Sequence, residues 1–213
     1  MIATLGFGVA QIAQVIGLVR YPLADILIYG ASLGISAPFL IAILALHETV
    51  EPRRQMWSRG AMLFGVMYVT YVALMYTVQL SVVIPRSMQA PATSVLAVSP
   101  QSLFWDIDAL GYIAMGISAL LAGFSLSRTG PGLMARRFLL AHGLITPVIA
   151  FNYFYPHFSI AVLLLGAPWL ITAPGSLLAL AIYFRRLSRI AGSPGVSQPA
   201  KPRLALSASG SPA

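Results

Sequence analysis

Residues 23–46 read LADILIYGASLGISAPFLIAILAL, and residues 47–54 follow as HETVEPRR. The first stretch carries a single charged side chain, Asp25. At about 1.5 Å per residue, a helix of this length exceeds the ~30 Å hydrocarbon core of a bilayer. The second stretch ends it with charges of both signs, as a solvated turn requires. A lipid-crossing helix closed by a polar loop is therefore the unit from which the rest of the chain is read.

The same alternation recurs on either side. Apolar runs at 2–19, 23–46, 61–84, 107–126, 138–155 and 158–184 predict an all-α, polytopic bundle of six spans. The first run is the doubtful one. It contains Gln11 and Gln14, and only Arg20-Tyr21-Pro22 separates it from the second. If Ile2–Val19 does not span, five spans remain and the loops keep their sides. No Lys or Arg precedes this run and no A-x-A pattern follows it, so it does not read as a secretory signal peptide.

Composition supports lipid as the solvent. Of 213 residues 58% are hydrophobic and 8% charged, against about a quarter charged in soluble domains. The net charge of +8 does not point to nucleic acid, because the positive side chains flank apolar runs. The chain has no Cys, which excludes disulfides, thiolate nucleophiles and Cys-ligated metals. No cofactor and no metal is expected.

Orientation follows from Arg and Lys, which favour cytoplasmic loops. Arg53, Arg54, Arg59, Arg128, Arg136, Arg137, Arg185, Arg186, Arg189, Lys201 and Arg203 fall on one side, leaving Arg20 and Arg86 on the other. The six-span reading places both termini in the cytoplasm of a cell, most simply at a bacterial cytoplasmic membrane. Residues 1–190 form the bundle, and the Ser/Pro/Gly/Ala-rich tail 191–213 reads as disordered. The outer connection from Pro85 to Trp105 is long enough to fold over the mouth of the bundle, with Phe104 and Trp105 anchoring it at the headgroups.

Helices in lipid associate through small residues. Gly30 and Gly34 form one such pair, serving intramolecular packing or dimerisation. The fourth span carries Gly116, Ala119 and Gly123 on one face and Gly111, Ala114, Ser118 and Ala122 on another, which suits a central helix. Pro38, Pro147, Pro168 and Pro174 interrupt three spans, and the last span is a candidate for local unwinding. Three spans before the outer loop and three after would permit an inverted repeat, but the halves show no self-similarity.

An ionisable side chain within a span is a functional candidate, since it costs about 2.5–3.5 kcal/mol at the bilayer centre. Asp25, Gln79, Asp106, Asp108, Tyr112, Asn152, Tyr155 and His157 fall in one polar layer near the outer face. Two readings stay open for them: an outward-facing ligand pocket, or ordinary placement at headgroup depth. Asp106-x-Asp108 is a weak metal signal, and Asp106 also suits a helix N-cap. His47 belongs with the inner loop charges and His142 with helix packing.

Familiar membrane chemistries lack their residues. The only Lys, Lys201, lies in the tail, so no span offers a Schiff base. H-E-x-x-H and G-x-S-x-G are absent, as are the Asp-rich patterns of phosphatidyltransferases and prenyl-diphosphate enzymes. The leading expectation is a small non-enzymatic protein that binds or moves a small or lipidic ligand, or acts as an accessory subunit to other membrane proteins. The alternatives are an enzyme acting on a lipid or isoprenoid, and a purely structural subunit. The partners expected are the lipid bilayer and such a ligand.

Overall fold

The computed structural model describes residues 2–89 and 95–191, and among them there are helices and no strands. The tail 191–213 assigned from sequence lies, beyond Ala191, outside the described residues. The helices are α1 (Ile2–Val15), α2 (Leu23–His47), α3 (Gln55–Val78), α4 (Ile84–Gln89), α5 (Leu103–Ser125), α6 (Leu133–Leu144), α7 (Thr146–Phe154), α8 (Ile160–Leu164) and α9 (Trp169–Ala191). A π-helical stretch, Gln79–Val83, joins α3 to α4 without a break, and a 3-10 turn at Pro52–Arg54 leads into α3.

Five segments are long and apolar enough to cross a membrane: Leu23–His47, Pro52–Ser87, Leu103–Ser125, Leu133–Phe154 and Ile160–Ile190. The first run differs from the expectation. Its helix stops at Val15, and 14 residues rise only about 21 Å, short of a bilayer core. It runs antiparallel to α2, with Ala3 beside Gly34 and the Gln14 side chain reaching Asp25. Paired with half of α2, α1 fills the seam between α2 and α9.

The remaining helices form a ring in the order α2, α3, α5, α6–α7, α9. Its interior is filled by side chains such as Phe39, Tyr68, Val72, Met115, Leu139 and Leu180. Its outside presents Ile41, Leu63, Val66, Leu74, Leu144, Ile171 and Leu178, a surface suited to lipid and not to water. More than half of the α5 span is buried (56%), the largest share among the spans, because α5 packs on α3 along one side and on α6 and α7 along the other.

Small residues make that position possible. Gly111 lies against Val72 and Tyr71 of α3, and the Ser118 hydroxyl donates to the Ala61 carbonyl at 2.7 Å. On the opposite side Gly116 meets Thr146, Ala119 is fully buried, and Gly123 and Gly143 let α5 and α6 touch backbone to backbone. Gly34 has the Ala3 methyl beside it, whereas Gly30 faces open space and packs on nothing among the described residues. The Gly30–Gly34 pair is thus not one packing unit within the chain.

Arginines close the far end of α5. Arg54 Nη1 donates to the Leu126 carbonyl at 2.5 Å, and Arg136 Nη1 donates to Gly123 and Leu126 at 2.9 and 3.0 Å. Helix C-termini leave carbonyls without partners and carry partial negative charge, so two guanidiniums satisfy both demands. At the same end His47 Nδ1 pairs with the Ser58 hydroxyl at 2.7 Å, and Tyr183 donates to Thr49 at 3.1 Å.

A Cβ on Gly143 would stand 2.8 Å from the Leu120 Cα and 2.9 Å from its nitrogen, a backbone clash that no rotamer relieves. Gly143→Ala should therefore lower stability by about 1–3 kcal/mol. Gly30→Ala should leave it unchanged or raise it by up to about 1 kcal/mol through helix propensity. Thermal unfolding of both variants in one detergent checks the pair.

Candidate functional site

The end of the bundle away from the arginine cluster holds a cavity of about 570 Å³. Its walls come from α1, α2, α3, α5, α7 and the α8–α9 connection. At its centre is Asp108, two turns into α5 and 7% exposed. Both oxygens of this carboxylate accept hydrogen bonds: Tyr76 of α3 donates to Oδ1 at 2.7 Å and Tyr153 of α7 to Oδ2 at 2.6 Å. The Tyr112 hydroxyl lies 3.1 Å from that of Tyr76. Each phenol has one proton, and Tyr76 gives its own to Asp108, so Tyr112 must donate to Tyr76. Three tyrosines thus converge, directly or through one another, on a single carboxylate.

Asp25 is the second acid at the cavity wall. Its Oδ1 accepts from Gln14 Nε2 at 3.0 Å, and Gln14 is itself an acceptor for Gln11 at 3.1 Å. The polar face of α1 therefore serves the cavity. Among the described residues no Lys, Arg or His lines this space. The Ser32 hydroxyl is buried beside the hydroxyls of Tyr76 and Tyr112.

Aromatic rings form a continuous arc around the acids. Phe158 meets Trp105 edge-on at 5.8 Å, and Trp105 meets Tyr153 at 4.7 Å. Tyr153 stacks on Tyr112 at 6.2 Å, Tyr112 meets Trp169 edge-on at 5.6 Å, and Trp169 meets Phe7 at 5.0 Å. Trp105 is held in place by its indole N–H, which donates to the Tyr153 carbonyl at 2.8 Å. The expected headgroup anchoring by Phe104 and Trp105 is not what forms: Phe104 is buried in the core, and Trp105 turns inward to the cavity.

The α8–α9 connection completes one wall. Between Leu165 and Ile171 the backbone bonds are predominantly i→i+3, so the helix is broken around Pro168. Asn152 of α7 covers this break. With its carboxamide oriented to pair at both ends, its nitrogen donates to the Val162 carbonyl at 2.9 Å and its oxygen accepts from the Gly166 N–H at 3.1 Å.

Of the eight residues singled out in the sequence, Asp25, Asp108, Tyr112 and Asn152 line this cavity. Gln79 does not. Its amide donates to the Leu96 carbonyl at 2.6 Å, tying the loop end to the π-helical stretch beside a smaller hollow of about 350 Å³ that Asp25 also borders. Asp106 faces away, and the N-cap of α5 is Ser102, which accepts from the Trp105 N–H at 3.3 Å. Tyr155 and His157 are exposed and pack on each other at 5.9 Å. Between residues 95 and 102, Val98 reaches the cavity and Gln101 bonds the Pro156 carbonyl, so this part of the outer connection does lie over the cavity end.

Tyr29, Tyr76 and Trp169 escaped the sequence reading. Each looks like a core aromatic on an apolar helix, and only tertiary contacts reveal its role: Tyr76 with Asp108, Tyr29 with the Tyr76 ring and Trp169 with the Tyr112 ring. His47 and His142 have hydroxyl partners, Ser58 and Thr172 respectively, the latter at 3.0 Å. Among the described residues no three His, Asp or Glu side chains are grouped as a metal site.

No protein-family model, characterised protein or solved structure matches the chain.

Removing the Tyr153 hydroxyl strips a buried carboxylate of one donor. Tyr153→Phe and Tyr76→Phe should each cost about 1.5–3 kcal/mol, the range for hydrogen bonds to charged groups. Asp106→Asn should change stability by less than about 0.5 kcal/mol. Detergent-solubilised thermal melts of the three variants separate these outcomes.

Proposed function

We propose that this chain is a multi-pass membrane protein that binds a small ligand in the Asp108 cavity. The observation that carries the reading is the cavity itself. Its volume falls within the ~300–1,000 Å³ typical of small-molecule sites, and its apolar walls bear a few polar groups fixed by hydrogen bonds. A purely structural bundle has no use for a buried carboxylate that must be supported by two phenols beside unfilled space. An enzymatic role lacks comparable support, since among the described residues no three His, Asp or Glu side chains are grouped as a metal site.

The cavity end is proposed to face outward and the arginine end the cytoplasm. Arg53, Arg54, Arg59, Arg128, Arg136, Arg137, Arg185, Arg186 and Arg189 share one side of the five long segments, and Arg20 and Arg86 the other. In this five-span arrangement α1 enters from the outer side and returns no further than half of α2. The carboxyl-terminal end of α9 is cytoplasmic.

The absence of native Cys makes orientation directly measurable. Ser99→Cys should react with a membrane-impermeant maleimide in intact cells, and Ser127→Cys only after permeabilisation; the reverse pattern overturns the orientation. For binding, a panel of cationic, neutral and anionic small molecules is screened by thermal shift. A member present at 100 times its Kd should add about 2.7 kcal/mol of stability. Asp108→Asn should insert normally and lose that gain. If no member of any charge class stabilises the protein, the binding reading fails.

A further inference from the structure

We infer that the ligand is an amphiphilic organic cation: an ammonium or quaternary ammonium head on an apolar chain. The inference rests on the binding reading above and specifies its chemistry.

Charge comes first. Asp25 and Asp108 both border the cavity, and among the described residues no cationic side chain does; Arg86 shares only the smaller hollow with Asp25. Each oxygen of Asp108 has a phenol hydroxyl within hydrogen-bond distance, an arrangement that favours the ionised carboxylate. The phenol donors stabilise that group without neutralising it. A carboxylate in an apolar interior with no counter-charge is costly, and a cation entering the cavity offsets that cost. An anion would meet two acids and no donor of opposite charge, so it is disfavoured.

Shape comes second. Trp105, Tyr153, Tyr112 and Trp169 follow one another ring to ring along the wall that holds Asp108. Aromatic faces attract cations by about 0.5–2 kcal/mol each, most strongly where water is excluded. An acid flanked by indole and phenol rings is the arrangement that selects an ammonium group over a neutral one of equal size.

The rim comes third. The lining residues that stay exposed are apolar, among them Ile12 and Val15 of α1, Ile16 just beyond it, Phe158, and Leu164 of α8. The opening between these elements therefore offers a greasy passage to the surrounding lipid. A head bound at the acids would leave its chain lying along this rim. A small hydrophilic amine would gain nothing there.

The test uses the full chain in lipid nanodiscs with Trp57→Phe, so that only Trp105 and Trp169, both at the cavity, report by fluorescence. Trp57 sits beside Phe124 at the opposite end of the bundle. Three probes are titrated: hexyltrimethylammonium, 1-nonanol, which carries as many carbons without the charge, and hexylphosphocholine. The cation should bind about tenfold or more tightly than the alcohol, and Asp108→Asn or Asp25→Asn should erase most of that preference. This comparison of probes on the unmutated acids holds even if a variant fails to fold. If hexylphosphocholine matches the trimethylammonium probe, the cation is presented by a lipid headgroup. If it binds weakly, the cation is a free lipophilic amine; either result supports the inference. Equal affinity for the cation and the alcohol overturns it while leaving the pocket intact. No change in emission with any probe overturns the binding reading as well.

Discussion

The pairing of Asp108 with Tyr76 and Tyr153 is the contact on which the site depends. A carboxylate in an apolar interior is tolerated only where donors are in place, and here they come from two other helices. The bond therefore does more than solvate a charge. It sets α3, α5 and α7 in a fixed relation at the cavity end. Tyr112 extends the same chain of hydroxyls toward Trp169 and α9. Helix association in lipid receives little help from the hydrophobic effect, so directional polar contacts of this kind weigh more in deciding which helices meet.

At the other end the means are different. There α5 approaches α6 through Gly123 and Gly143, and its carbonyl end is closed by Arg54 and Arg136. Close backbone packing draws the two helices together there. The bundle is thus tight where the arginines gather and open where the tyrosines do. The break at Pro168 contributes to that opening, because α8 and α9 do not continue as one straight helix along the wall. Asn152 adds side-chain hydrogen bonds to the backbone at the break, which helps it to persist next to lipid.

Much of the architecture was legible from composition and spacing. The long apolar segments and their polar interruptions follow from the hydration cost of backbone and side chains, which every residue in a run shares. The Gly, Ala and Ser spacing on α5 likewise reads as two packing faces, and the structure puts α3 on one and α6 with α7 on the other. The first run was harder to judge. Its apolar length through Val19 suggested a span, but a turn at Ile16–Val19 ends the helix early. Depth alone misled for Asp106, Tyr155 and His157. They share a level with Asp108 but point elsewhere, and azimuth around a helix is weakly encoded when nearly every position is apolar.

The sequence by itself determined that the chain folds as helices long and apolar enough for lipid, which segments those are, and that their positive charge gathers at one end. These properties are local, since each depends on transfer of a contiguous run between solvents. Only the tertiary structure decided that Tyr76, Tyr112 and Tyr153 serve one carboxylate, that Gln14 reaches Asp25, and that Trp105 turns inward. Those partners lie 11 to 45 residues apart in pairs such as Gln14–Asp25 and Asp108–Tyr153. They meet through helix rotation and crossing, which side-chain packing between neighbours sets and no single helix encodes.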